Sequence, residues 1–232
     1  MANARGIDPW FDARGLAITK DGMVGQGAMS HVATMNQTHS ANVAMVTMQH
    51  KRWISHAVCV AQGRLVKQVL PHSSAAPYPY TQSSFHCMVD ADALITTTPS
   101  VTLSVRVADC LPIIIQADNA LAIVHAGRVG TLAGISSRVC EAMLQVSAGP
   151  FTVWFGPCSC VSCYEIHKET ATHFDLVGEN KAQIQNAMAD NAWFIYPDGH
   201  PLCTQCNGPD LYSYRAGDAT ERNVFFMANN GP

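Results

Sequence analysis

Charge is scarce in this sequence: 14 lysines and arginines stand against 17 acidic residues, 13% of the chain is charged, and the net charge is −3. The basic excess that holds nucleic-acid phosphates is missing, which argues for small-molecule partners and against nucleic acid. Long apolar runs are missing too. None approaches the ~20 residues of a bilayer span, and no apolar signal-peptide core opens the chain, so a membrane role is not expected and the expected location is the cytoplasm. No repeat or low-complexity tract is visible. None of the ten histidines stands in a His-x-His pair.

What is present is apolar. With 232 residues, 48% of them hydrophobic, the chain can bury the core of one globular domain. Residues 1–14 lack periodicity and read as an arm, leaving 15–232 as the domain. Nine cysteines without a secretory signal point to reduced thiols or metal ligands rather than disulfides.

The chemistry concentrates between Thr102 and Gly130. Three short apolar runs, at 102–107, 111–116 and 120–124, read as buried strands. Asp109-Cys110 and His125 stand at their ends, where α/β proteins place sites. After His125, the tract Ala126-Gly127-Arg128-Val129-Gly130 enters a segment with Leu132, Ile135, Val139 and Met143 at helical spacing. Its free N–H groups and helix dipole would berth a phosphate or carboxylate. The same glycines equally serve a tight strand-to-helix turn.

Elsewhere, residues 15–19, 43–48, 151–155, 193–196 and 224–228 read as strands, and 57–60 with 65–70 as a hairpin turning at Gly63. Met29–Met35 shows no clean period. Residues 71–81, with three prolines, read as a loop. One helix is expected to open within residues 158–165 and run through Phe174, and another over 181–192. Asp90 and Asp92, two positions apart, would point the same way along a strand, though turn formation is the commoner use of such aspartates. The fold class is mixed α/β: one domain whose central mixed sheet contains the 102–124 strands, with the helices after Gly130 and Tyr164 packed on it.

The cysteines pose two questions. Cys160-x-x-Cys163 and Cys203-x-x-Cys206 have the pairing of a tetrahedral structural zinc site, with a wider gap than a zinc ribbon. Cys110 and His125, fifteen residues apart, suit either a nucleophilic Cys/His pair or two metal ligands. Residue chemistry alone leaves that pair open.

From about Asn36 to the end, the chain resembles the YfiH-like family, also called the laccase-domain or multicopper polyphenol oxidase family. The resemblance rests on Asp92-Ala-Leu-Ile-Thr, Ala108-Asp-Cys-Leu-Pro112, His125-Ala-Gly, Gly156-Pro with Tyr164-Glu165, Cys203-Thr204 and Tyr212-Ser-Tyr-Arg215, in that order. The family's Gln-Val-His looks like Gln37-Thr-His39, so the resemblance implies zinc held by His39, Cys110 and His125 with a fourth position open, a catalytic pattern.

It implies an enzyme: a zinc-dependent purine nucleoside phosphorylase acting on adenosine, inosine, guanosine and methylthioadenosine, with adenosine deaminase activity. Zinc would activate water for deamination. Phosphate would rest on Gly127, Arg128 and Gly130, with Arg128 or Arg215 balancing its charge, and Asp109 is the candidate proton carrier. Three other readings follow: a copper-dependent polyphenol oxidase, a Cys110/His125 hydrolase of cell-wall intermediates, and an inactive family member. The chain also departs from the family. The usual HAGWRG is His125-Ala-Gly-Arg-Val-Gly130, and the second arginine of SYRR is Ala216.

Overall fold

Runs of aliphatic and β-branched residues form two mixed sheets stacked face to face, with helices on the outer face of the larger. The computed structural model describes residues 16–20, 31–71, 85–167, 169–195, 202–206 and 211–229. The expected arm at 1–14 and all but the first residue of the loop at 71–81 lie outside them.

Along the chain come β1 (Leu16–Lys20), β2 (His31–Asn36), β3 (Val43–Gln49), β4 (Arg52–Ala61), β5 (Arg64–Val69), β6 (Phe85–Asp90), β7 (Ala93–Thr96), β8 (Thr102–Val107), β9 (Leu111–Ala117) and β10 (Ala120–Ala126). Helices α1 (Arg128–Leu132) and α2 (Ile135–Leu144) follow, then β11 (Phe151–Phe155), β12 (Glu165–His167), β13 (Thr172–His173), helix α3 (Leu176–Met188), β14 (Ala192–Ile195) and β15 (Asn223–Ala228). The smaller sheet has the order β1-β15-β8-β2-β6 and the larger β14-β11-β9-β10-β7-β3-β4-β5. Among the described residues no helix is long and apolar enough to cross a membrane.

Two cores explain the unbroken apolar runs. Ile113 and Ile115 of β9, with Ala122 and Val124 of β10, pack beneath Ile135, Val139 and Met143 of α2 and Ile184 of α3. Their neighbours Ile114, Leu121 and Ile123 turn the other way, against Leu103 and Val105 of β8 and Phe225 of β15. A strand covered on both faces needs hydrophobic residues at every position, which replaces the usual alternation by a run. The β4–β5 hairpin turns on Gln62 and Gly63 with φ of 52° and 71°, the left-handed pair that a two-residue turn of this twist requires.

Three expectations need correction, and one unassigned stretch finds its place. The three strands of residues 102–124 do not share a sheet: β8 lies in the smaller sheet, β9 and β10 in the larger. A short apolar run marks burial but not which sheet receives it. Met29–Met35, without a readable period, largely becomes β2, a central strand paired in parallel with both β6 and β8. Among the described residues from Tyr164 to Phe174 there is no helix. Cys160–Tyr164 closes a turn through Tyr164 N–H to Cys160 O, and β12 and β13 pair antiparallel beyond it. That stretch is largely exposed and offers no apolar face for a helix to bury. The helix starts instead where Asp175 accepts the Gly178 N–H, five residues before the expected start. Finally, the helix after Gly130 is two helices, broken at Gly134, whose φ of 78° is left-handed, and Leu132 consequently faces solvent.

Candidate functional site

Register brings two ligands together. In the β9–β10 pair, His125 stands opposite Pro112 and Ala126 opposite Leu111, so the next step beyond the ladder sets Cys110 beside Gly127. That closeness is measurable: a Cβ on Gly127 would lie 3.0 Å from Cys110 Sγ, 3.6 Å from a His39 ring carbon and 3.7 Å from one of His125. The missing side chain of Gly127 is the space in front of the three residues.

His39 arrives from the loop joining β2 to β3. Gln37 ties that loop down, its amide donating to Arg106 O at 2.7 Å and accepting from Arg106 N–H at 3.0 Å. His39 itself has a φ of 56°, a conformation costly for a residue with a Cβ unless its surroundings impose it. Asp92 imposes it. Its two oxygens accept from Thr38 N–H and Oγ1–H, His39 N–H, and Ser40 N–H and Oγ–H, at 2.7–3.2 Å.

The same buried carboxylate meets His125 Nδ1 at 2.8 Å, which fixes Nδ1 as the protonated nitrogen and turns Nε2 toward the cluster. The His39 and His125 rings stand edge to face with centroids 4.9 Å apart. One ligand atom from each of His39, Cys110 and His125 falls within 4.8 Å of the others.

These contacts shift the acid–base chemistry. Burial alone would raise the Cys110 thiol, but hydrogen bonds from His125 and His39 outweigh it and bring it down to about 7. Burial alone would lower His125, but Asp92 and Cys110 outweigh it and hold the imidazole up at about 9. Burial also works against the Asp92 carboxylate, yet the bonds from His125, Ser40 and Thr38 keep it well below the usual carboxylate range.

Two imidazoles and a thiolate, gathered at one point with a glycine gap in front, suit a borderline divalent ion such as zinc with one position left for substrate or water. Asp92 would hold such a site as it holds the loop. By spacing alone, Asp92 pairs with Asp90 on one face of a strand. In the structure Asp90 is exposed and bonds Asn36 at 2.8 Å, while Asp92 is wholly buried, and the two carboxylates share no site.

Asp109 points elsewhere. With a φ of 86°, its carboxylate accepts from Thr204 Oγ1–H and Ser213 Oγ–H, both at 2.6 Å, and from Arg215 N–H at 2.8 Å. It joins the Cys203-Thr204 and Tyr212–Arg215 segments to the strand end that carries Cys110. Arg215 lies over the Tyr164 ring, 4.2 Å from its centroid, and donates to Glu165 O at 2.8 Å. Burial and the neighbouring Cys110 push the Tyr164 phenol up, with Arg215 and Arg128 opposing, so both arginines act on this one ring.

The berth after His125 differs from expectation. Helix α1 spans only five residues, too short to carry much of a macrodipole. At Gly130 a Cβ would stand 2.5 Å from Ser40 O, so that glycine serves the close approach of α1 to the His39 loop.

A profile of the family described as multi-copper polyphenol oxidoreductase laccase matches residues 22–228. A purine nucleoside phosphorylase of Deinococcus radiodurans is 30% identical over 149 residues, 54% of this chain and 56% of that protein. One from Streptomyces griseus is 31% identical over 155 residues, 56% of this chain and 60% of its own length. An adenosine deaminase from an unknown prokaryotic organism is 33% identical over 148 residues, 53% and 56% respectively. The matched stretches thus span little more than half of these relatives. Among solved structures, YlmD from Geobacillus stearothermophilus superposes with a TM-score of 0.65 at 17% identity, covering 98% of this chain and 97% of that one. Bacillus licheniformis YfiH gives 0.63 at 16%, covering 94% and 97%. The fold is therefore that of these proteins: mixed α/β, rich in sheet.

Proposed function

Because the chain belongs to the multi-copper polyphenol oxidoreductase laccase family, and relatives in it are named for purine nucleosides, we propose that it is a zinc-dependent purine nucleoside phosphorylase with adenosine deaminase activity. Adenosine, inosine, guanosine and methylthioadenosine are the substrates, and phosphate is the cosubstrate. The observation that carries this reading is the His39–Cys110–His125 cluster, with Asp92 bonded to His125 and Gly127 leaving space before it. A copper laccase reading has no such support: three ligands meet here, and the second cluster among the described residues is all cysteine.

His39, Cys110 and His125 would hold the ion, whose Lewis acidity activates water and polarises the substrate when bound. The chain's own residues do the rest. Asp92 sets the His125 tautomer and locks the His39 loop. Arg128 and Arg215, which both act on the Tyr164 phenol, would form the wall that receives phosphate. Gly127 gives the nucleoside its approach, while Gly130 keeps α1 seated. Asp109 is a positioning residue, because three internal donors already occupy its oxygens, and it seats Arg215 rather than carrying the proton.

Incubating adenosine with the purified protein tests this. With phosphate, adenine and ribose 1-phosphate should form; without it, inosine should still form; a chelator should stop both. Absence of both products from the zinc-loaded protein sinks the proposal. Asp109→Asn should depress both reactions in parallel by releasing Arg215, whereas loss of inosine alone would restore Asp109 as the proton carrier.

A second reading has its own observation: Asp92, His125 and the low-lying Cys110 thiol form an Asp-His-Cys relay resembling a nucleophilic triad. Chelation separates the two, since hydrolysis by Cys110 would survive it.

A further inference from the structure

The catalytic reading leaves four cysteines unused. Cys160 and Cys163 follow β11 on one loop, and Cys203 and Cys206 sit on another. The two loops are zipped together by a bridge between Cys158 and Cys203, with Cys158 N–H donating to Leu202 O and Thr204 N–H to Cys158 O, both at 3.0 Å. Gln205 adds a side-chain bond to Ser159 Oγ at 2.7 Å.

All four sulfurs lie within 4.8 Å of one another. Cys160 Sγ is 3.8 Å and Cys163 Sγ 3.3 Å from Cys206 Sγ. Four sulfurs bound tetrahedrally at about 2.3 Å to one ion form a figure with edges of about 3.8 Å, so the spacing fits a shared ion. A disulfide would need about 2 Å.

The surroundings supply a second, independent indication. Cys203 Sγ accepts N–H bonds from Cys160 and from Gln205, each at 3.4 Å. A neutral thiol is a weak acceptor, whereas a thiolate ligand is stabilised by backbone donors turned onto it. The backbone of both loops thus already turns two donors onto this sulfur, as it would onto a metal-bound thiolate.

We propose that Cys160, Cys163, Cys203 and Cys206 form a closed tetrathiolate zinc site that clamps the two loops flanking the catalytic cluster. Its role is structural, because four protein ligands leave no position for substrate or water. The clamp is nonetheless next to the chemistry. Tyr164 directly follows Cys163, and Thr204, which bonds Asp109, directly follows Cys203. The site stands whether or not the protein acts on nucleosides.

The test is zinc stoichiometry and zinc K-edge X-ray absorption on the 232-residue chain. Wild type should carry two zinc ions per chain by native mass spectrometry. Cys110→Ala, dialysed against zinc-free buffer, should keep one, with a shell of four sulfurs at about 2.3 Å and no nitrogen. A zinc-free Cys110→Ala protein, a shell containing nitrogen, iron in place of zinc, or an intact mass lower by two hydrogens from a disulfide would each overturn the proposal. Cys163→Ser/Cys206→Ser should lose one of the two ions and keep the other. Retention of both would overturn it as well. If that double variant fails to fold, the wild-type and Cys110→Ala measurements decide by themselves.

Discussion

Two clusters of soft donors sit on adjoining walls of this protein, and they are built on opposite plans. His39 comes from the β2–β3 loop and Cys110 and His125 from the paired ends of β9 and β10, and a buried carboxylate orients one ring. A glycine leaves the front open. Cys160, Cys163, Cys203 and Cys206 come from two loops, use one kind of atom, and are supported by backbone N–H groups. The contrast teaches that a site for chemistry keeps a gap and invests in side-chain positioning. A site for cohesion uses every ligand position and lets the backbone supply the polar support.

Asp92→Asn should separate the plans most sharply. The amide cannot accept all the bonds that the carboxylate now takes from Thr38, His39, Ser40 and His125, and breaking such a buried pair costs about 3 kcal/mol or more. Zinc affinity at the three-ligand site should fall about 10–100-fold, while the four-cysteine site keeps its ion. Competition with a fluorescent chelator, read beside thermal melting, measures both. An unchanged affinity would remove Asp92 from the site.

Next in size is a pH effect on the metal-free protein. The Asp92 carboxylate is depressed on folding, so its contribution is complete above the unfolded value of about 3.9 and is lost as the pH falls through the folded value. His125 is raised to about 9, so its contribution is complete below the unfolded value of about 6.5 and is lost as the pH rises through 9. Cys110 is brought down to about 7, so its contribution grows as the pH rises from 7 to the unfolded value of about 8.5 and offsets the loss at His125. Metal-free protein should therefore melt at nearly the same temperature from pH 7 to about 8.5, with only slight falls as the pH rises toward that span and beyond it to about 9. Zinc-loaded protein should instead melt higher as the pH rises through that span, because zinc displaces the His125 proton and its affinity should rise about tenfold per pH unit there. Parallel melting curves with and without zinc would contradict the assignment.

The smallest effect is expected from Gly127→Ala. The backbone there is extended, with φ −81° and ψ 168°, so alanine fits without strain and the melting temperature of metal-free protein should barely move. Its methyl group would crowd Cys110 Sγ at 3.0 Å, and the expected result is a few-fold loss of zinc affinity and turnover. Full activity would mean that substrate enters from another side.

How much of this was legible beforehand depends on range. β9, β10 and β11 could be read because strands buried on both faces write their burial as a continuous apolar run. The pairing of Cys110 with His125 followed from a hairpin fifteen residues long. His39 entered only through family resemblance, since nothing local marks a loop histidine as a ligand. Asp92 was underrated for the same reason: the six groups it engages lie more than thirty positions away. The missing helix after Tyr164 shows the opposite failure, where local composition suggested an element that two pairs of cysteines and a reversed backbone turn replace.

The β9–β10 hairpin also bears on the order in which the site is put together as the chain folds. Its strands are joined by only Asp118 and Asn119, so Cys110 and His125 can meet after closure of a short loop, with little entropy lost. His39 joins them only when β3 pairs in parallel with β7, a contact that must close a far longer stretch of chain and forms slowly by comparison. A chain still folding therefore presents a two-ligand Cys/His pair before the third ligand docks, and capture of the third is the step that commits the nascent hairpin to the finished sheet.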